Sequence, residues 1–279
     1  MCALRFAANV SWLFLEEATL ARRLLAARDA GFEAVEAAWP YKNPVTYVEQ
    51  ARKEAGVRVA LLNSPPGKGG LGLGAQPGRQ VEFRTGLEMA VSYANALGCD
   101  RINVLAGRIP SQESRVAMTS QMEETYVENL RFSADLLDQN GIIGLVEPIN
   151  NRLTEPLYFV NTPHQAMDIV QKVNRPNIKL QLDLFHCQIM DGNLTGNIQS
   201  LFPYIGHIQI AQVPRRSEPD SAGEINFPYI FSLLEELGYQ GYVGCEYAPR
   251  GDTLSGLQWL RNYWKEHNVN QNPERSMIE

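Results

Sequence analysis

Apolar and polar positions along the chain fall into two alternating rhythms. Short, mostly apolar runs of about four to eight residues have the pattern of strands covered on both faces. Between them lie longer stretches in which apolar residues return every three or four positions, the pattern of helices packed on a sheet. The first run is Leu4–Phe14, interrupted by Asn9 and Ser11, and Glu17–Ala30 follows with Leu20, Leu24 and Ala27 on one helical face. Phe32–Ala38 and Val57–Asn63 read as the next strands, with a helix over Val45–Ala55 between them. Phe83, Leu87, Ala90, Val91, Ala94 and Leu97 then mark a helix stopped by Gly98, and Arg101–Leu105 is strand four.

The second half repeats the rhythm. Tyr126, Leu130, Ala134 and Leu137 share a helical face ahead of the apolar run Ile142–Val146, the fifth strand. Thr162 suits an N-cap and Pro163 the first helical position, with Ala166, Ile169, Val170 and Val173 as the buried stripe. Strand six is Ile178–Phe185, then come a helical turn around Leu194–Leu201, strand seven at His207–Ala211 and a long loop over Gln212–Asn226. A helix through Ile230, Leu233, Leu234 and Leu237, strand eight at Tyr242–Tyr247 and a helix from Leu254 to Trp264 complete the pattern. Eight strand–helix units without a linker predict an α/β protein, a single (β/α)8 barrel over residues 1–267, with a polar and mobile tail at 268–279. An open doubly wound sheet is the competing architecture; it would gather its ligand at one switch point rather than around a ring.

Charge narrows the partners. The 279 residues carry 25 basic and 31 acidic side chains, net −6, with no long block of either sign. Nucleic acids and anionic membranes select basic faces, so neither is expected; a small molecule is. No 18-residue apolar stretch exists, and the N-terminus reads as a strand rather than a signal peptide. Cys2, Cys99, Cys187 and Cys245 show no zinc-type spacing, which fits reduced thiols in a cytoplasmic protein.

The chemistry gathers at strand ends. The run GIIGLV stops at Glu147 and Pro148; Asp183 and Glu246 end the sixth and eighth strands, and Gln209 lies near the end of the seventh. Active sites of barrels sit at these C-terminal ends. Any one of the carboxylates could instead cap a helix or pair with an arginine. Three converging without a cation would repel strongly, and all-oxygen ligation favours Mg2+ or Mn2+, with zinc left open. His186 is placed to enter the same mouth, and His207, two residues before Gln209, is expected one layer below as a hydrogen-bonded interior histidine. The glycine-rich Pro65–Gly74 lacks the GK[ST] ending of a phosphate loop, so the loop over 64–78 is expected to be a mobile lid. Arg215 and Arg216, after strand seven, are candidates for holding a substrate carboxylate by the two-pronged grip of a guanidinium.

FAANVSWLF, FEAVEAAWPY, PGRQVEFR, LVEPIN, QLDLFH, HIQIAQVP, GEINF and GYVGCEY, in that order, resemble the hydroxypyruvate isomerase family of the xylose-isomerase-like TIM-barrel superfamily, from about residue 5 to 265. The resemblance implies interconversion of hydroxypyruvate and tartronate semialdehyde (2-hydroxy-3-oxopropanoate), with Glu147 and Glu246 as proton donor and acceptor. Related sugar isomerases and epimerases imply a divalent metal on Glu147, Asp183, Gln209 and Glu246. Many of these relatives have histidine where Gln209 stands, so weak or optional binding is implied. The family's PxR matches Pro214–Arg216, whereas epimerase spacing favours Arg215. Leu153 occupies the place of an epimerase substrate-binding glutamate, which argues against a long polyol. A carbohydrate 3-epimerase or a 2-oxo-acid sugar isomerase would use nearly the same site. A non-catalytic metabolite-binding barrel would be expected to lack one of the two glutamates. The superfamily's endonucleases use several metals and many histidines, and this chain has four histidines.

Overall fold

A computed structural model describes residues 3–68, 70–111 and 115–269. Eight parallel strands close into one barrel in sequence order: β1 Arg5–Asn9, β2 Ala34–Ala37, β3 Arg58–Asn63, β4 Arg101–Asn103, β5 Ile143–Val146, β6 Ile178–Asp183, β7 Ile205–Ile210 and β8 Tyr242–Cys245, with β8 pairing back on β1. The outer helices are α1 Leu20–Asp29, α2 Val45–Ala55, α3 Gln80–Leu97, α4 Arg115–Asp138, α5 Pro163–Val173, α6 Leu184–Met190, α7 Leu194–Leu201, α8 Phe227–Glu236 and α9 Gln258–Glu266. The expected (β/α)8 barrel is therefore observed; of the expected tail, residues 270–279 lie outside the described residues.

Helix α5 shows how local chemistry sets the bounds. The Thr162 hydroxyl accepts from the Gln165 N–H at 3.1 Å, Pro163 needs no partner for an N–H it lacks, and Asn174 ends the helix at φ 52°. Its apolar stripe, Ala166, Ile169, Val170 and Val173, is buried against the barrel. Deleting such a buried side chain as Ile169→Ala costs about 2–5 kcal/mol.

Three expectations shift. The first run, Leu4–Phe14, is strand only to Asn9. The pattern carries strand six to Phe185, but β6 stops at Asp183, whose Oδ1 accepts from the Phe185 N–H at 2.8 Å and caps α6. The apolar Leu184 and Phe185 look like strand continuation; the side-chain cap turns them into a helix. The glycine-rich loop is stitched down rather than free at its far end. Gly74 N–H donates to Leu105 O at 3.0 Å, Ala75 N–H to Ala106 O at 2.7 Å, and Leu73 and Ala75 are buried. At Gly72, with φ 102°, a Cβ would fall 2.2 Å from Leu105 O, so the close approach to the β4 loop requires glycine.

Strand parity fills the barrel. Side chains two apart share a face, so Ala7 and Asn9, Ala34 and Glu36, and His207 and Gln209 all point inward. Ala7, Ala34 and Ala60 form a small apolar cluster towards the bottom, and a belt of buried polar side chains lies above it. Among the described residues, no helix is long and apolar enough to cross a membrane. Cys99, Cys187 and Cys245 are buried and free.

Candidate active site

Glu147 follows β5, Asp183 ends β6, His186 lies in the first turn of α6 and Glu246 follows β8. The strand ends bring them together. One ligand atom from each of the four lies within 4.8 Å of the others, and the group could hold a metal ion. Glu147, Asp183 and His186 are at most 5% exposed, and the Glu246 side chain is 12% exposed.

Arg216 enters from the loop after β7. Its Nη2 is 2.5 Å from Glu246 Oε2 and 3.6 Å from Asp183 Oδ2, and its guanidinium lies over the Trp12 and Phe185 rings at 4.4 and 4.9 Å. Its backbone is left-handed at φ 54°, a conformation side chains adopt at a cost, and its carbonyl is fixed by the Ala248 N–H at 2.8 Å. The buried Gln212 amide holds this loop: its Oε1 accepts from Val213 and Ile225 N–H, and its Nε2 donates to Ile225 O. Arg215 is exposed on the same loop. The Arg216 Nε is buried without a hydrogen-bond partner among the described residues, a donor still available to an anion.

His186 is oriented from behind. Asn150 Oδ1 accepts from the N–H groups of Leu153 and Thr154, so its amide nitrogen faces His186 Nδ1, at 2.7 Å. A neutral imidazole that accepts at Nδ1 carries its proton on Nε2. That Nε2 lies 3.4 Å from Asp183 Oδ2 and 4.0 Å from Glu147 Oε1. Burial, helped by the Arg216 charge, keeps the imidazole well below its ordinary value and hence neutral. His186 thus presents a hydrogen-bond donor to the site.

The two glutamates differ electrostatically. Burial pushes Glu147 well above the ordinary carboxylate range, and the charges of Glu246 and Asp183 push it further. Burial also raises Glu246, but the adjacent Arg216 opposes it and Glu246 sits at about 8. Asp183 is raised by burial and lowered by Arg216 and its backbone hydrogen bonds. Its Oδ1 caps α6 while Oδ2 is buried with no hydrogen-bond partner among the described residues. That bare oxygen, beside two further carboxylates, fits a hard divalent cation such as Mg2+ or Mn2+.

Gln209 shares this wall but commits both ends of its amide: Oε1 accepts from Gln181 Nε2 at 2.5 Å and Nε2 donates to Glu36 Oε2 at 2.8 Å. To serve as a ligand, its oxygen would have to leave Gln181. His207 lies beneath as expected, its Nε2 2.5 Å from Glu36 Oε1. Residues not singled out in the sequence complete the ring. Asn103 donates to Glu147 Oε2 at 2.6 Å, and Asn9 donates to Glu246 Oε1 at 3.1 Å and to Glu36 Oε2 at 3.0 Å. A polar residue in an otherwise apolar strand was the available signal for all of them.

The family model of the xylose isomerase-like TIM barrel matches residues 24–263. A Homo sapiens protein provisionally named hydroxypyruvate isomerase is 58% identical over 95% of this chain and 96% of its own. A 2-oxo-tetronate isomerase of Cupriavidus necator is 43% identical over 93% of this chain and 98% of its own. The crystal structure of an AP endonuclease, family 2, from Brucella melitensis superposes with TM-score 0.88 at 43% identity, covering 93% and 98% of the two chains.

Proposed function

The chain belongs to the xylose isomerase-like TIM-barrel family and is an isomerase; from that premise we propose that it interconverts hydroxypyruvate and tartronate semialdehyde through an enediolate, with Glu246 and Glu147 moving the protons. The observation that carries this reading is the convergence of two buried glutamates on one mouth, Glu246 paired with Arg216 at 2.5 Å and Glu147 held by Asn103 at 2.6 Å. Its products and substrates are small hydroxy- and oxo-acids.

Isomerisation takes a proton from C3, the CH2OH carbon, and returns one to C2. Glu246, paired with Arg216, is the base that takes the C3 proton; Glu147, on the opposite side of the mouth, returns a proton to C2. The atoms balance when the proton of the C3 hydroxyl ends on the C2 oxygen. His186 Nε2–H offers a neutral donor to the negative charge that develops on these oxygens. Arg216 grips the substrate carboxylate through its Nε–H while its Nη2 stays on Glu246, a two-donor arrangement that lysine cannot reproduce. Glu147, Asp183 and Glu246 would hold a divalent cation, Mg2+ or Mn2+, which when bound polarises the substrate carbonyl and hydroxyl oxygens and stabilises their negative charge.

The naming of a 43% identical relative as a 2-oxo-tetronate isomerase favours a second reading, the same chemistry on a four-carbon acid. The test is an assay of purified protein with hydroxypyruvate and with 2-oxo-tetronate, with and without chelator. Formation of tartronate semialdehyde at the higher kcat/KM supports the first reading. Turnover of the four-carbon acid alone replaces it.

A further inference from the structure

We propose that Glu36 is a positioning residue for Glu246, acting through the amide of Asn9, and that Gly244 is the gap in β8 that admits it. The inference rests on the reading that Glu246 transfers the proton.

Glu36 is 1% exposed, inside a barrel whose lower layer is alanine. A buried carboxylate is costly there unless its oxygens are engaged, and these are. Oε1 meets His207 Nε2 at 2.5 Å; Oε2 accepts from Gln209 at 2.8 Å and from Asn9 at 3.0 Å. Two other strands, β1 and β7, therefore converge on one side chain of β2. The barrel makes room for it on a third, β8, because a Cβ at Gly244 would lie 1.9 Å from Glu36 Oε1. No rotamer adjustment of an alanine relieves such an overlap; Glu36 itself would have to leave.

Asn9 is the link upward. Its Oδ1 accepts from the Ser11 N–H at 3.1 Å, which fixes the amide's direction. Its nitrogen has two hydrogens and two carboxylate acceptors, Glu36 Oε2 below and Glu246 Oε1 above at 3.1 Å. Glu36 thus anchors one side of an amide whose other side holds the carboxylate that Arg216 also grips. Take Glu36 away and Asn9 loses the acceptor that sets its height in the barrel; Glu246 keeps Arg216 but loses its second point of support. A misplacement of about 1 Å at a reacting group costs on the order of 100-fold in rate.

Kinetics and structures of Asn9→Ala, Glu36→Gln and the double variant test the proposal. Each single change is expected to lower kcat about 10- to 100-fold with KM within about threefold, because the carboxylate grip of Arg216 is untouched. The double variant should be no slower than Asn9→Ala alone, since both cut the same support. In crystal structures of the single variants the Glu246 carboxylate should be displaced or split over two positions. Losses in kcat that multiply overturn the proposal, as does Glu246 staying in place in Asn9→Ala, which leaves Glu36 its His207 and Gln209 partners. If the wild-type protein leaves hydroxypyruvate unchanged, the proposed reaction fails, and the position of Glu246 in Asn9→Ala still decides this inference.

Discussion

The two sides of the site hold the same residue in nearly the same way and give it different chemistry. Glu147 and Glu246 each follow a strand, and each accepts from an asparagine on the neighbouring strand, Asn103 on β4 and Asn9 on β1. Behind Glu147 lie the buried rings of Tyr126 and Tyr158, whose hydroxyls bond the backbone at Val104 O and Ala106 N–H. Beside Glu246 stands Arg216. Burial raises both carboxyls; the Arg216 charge opposes it at both, more at Glu246, which it also hydrogen-bonds and which sits at about 8. On the proposed reading this difference makes one the base and the other the acid. It lies in how closely each carboxyl meets one guanidinium, not in the glutamates.

The largest effects should come from the glutamates themselves. Glu246→Gln and Glu147→Gln keep shape and remove proton transfer, and each is expected to lower kcat about 10²–10⁴-fold. Steady-state assays on folded variants check this. Arg216→Lys comes next: losing the fork should lower kcat/KM roughly 10- to 100-fold, mostly through KM. Arg216→Met, which removes the charge as well, should move the rise of kcat with pH upward, since the Arg216 charge is what holds Glu246 down. Arg215→Ala, on the exposed face of the same loop, should change kcat/KM by less than about twofold.

Removing or adding cation tests the shared centre. Mg2+ or Mn2+ at about 100 times its Kd should add about 2.7 kcal/mol to wild-type stability, read as a rise in Tm. An Asp183→Asn, Glu246→Gln double variant should show no such rise; an equal rise would place the cation elsewhere.

The smallest effect follows from the raised carboxyls. In the folded chain Glu147 and Glu246 keep protons that the unfolded chain releases above the ordinary value of 4.5. Their contribution is present below that value and is lost as pH rises through the folded values, about 8 for Glu246. With chelator present, Glu147→Gln should therefore gain on wild type as pH rises above about 5, by about 2–4 °C in Tm for each kcal/mol of penalty removed. A constant difference across that range would mean Glu147 is not raised.

Much of this was legible in the sequence because it is local. Helix α2, with its bounds at Val45 and Ala55, and the start of α5 at Pro163 follow from period, N-cap and stop signals. Glu147, Asp183 and Glu246 stood out because a charge ends an apolar run, and the barrel brought those strand ends to one mouth. What stayed hidden depends on neighbours. Glu36 reads as a charge in a short strand, and only the barrel's closure puts it beside His207, 171 positions away. The choice between Arg215 and Arg216 turns on a left-handed residue that no spacing announces. Gln209 looks like a ligand by position, yet the register shift between β6 and β7 at Leu180/Gln181 sets Gln181 to receive its oxygen.

The central claim is that Glu246 takes the proton and Glu147 gives it. Hydroxypyruvate in D2O, followed by NMR at C3 alongside product formation, separates the two. Glu147→Gln should still exchange deuterium into C3 while forming little tartronate semialdehyde, because the base is intact and the acid gone. Glu246→Gln should do neither. Exchange at C3 that survives in Glu246→Gln and vanishes in Glu147→Gln would reverse the roles and contradict the account.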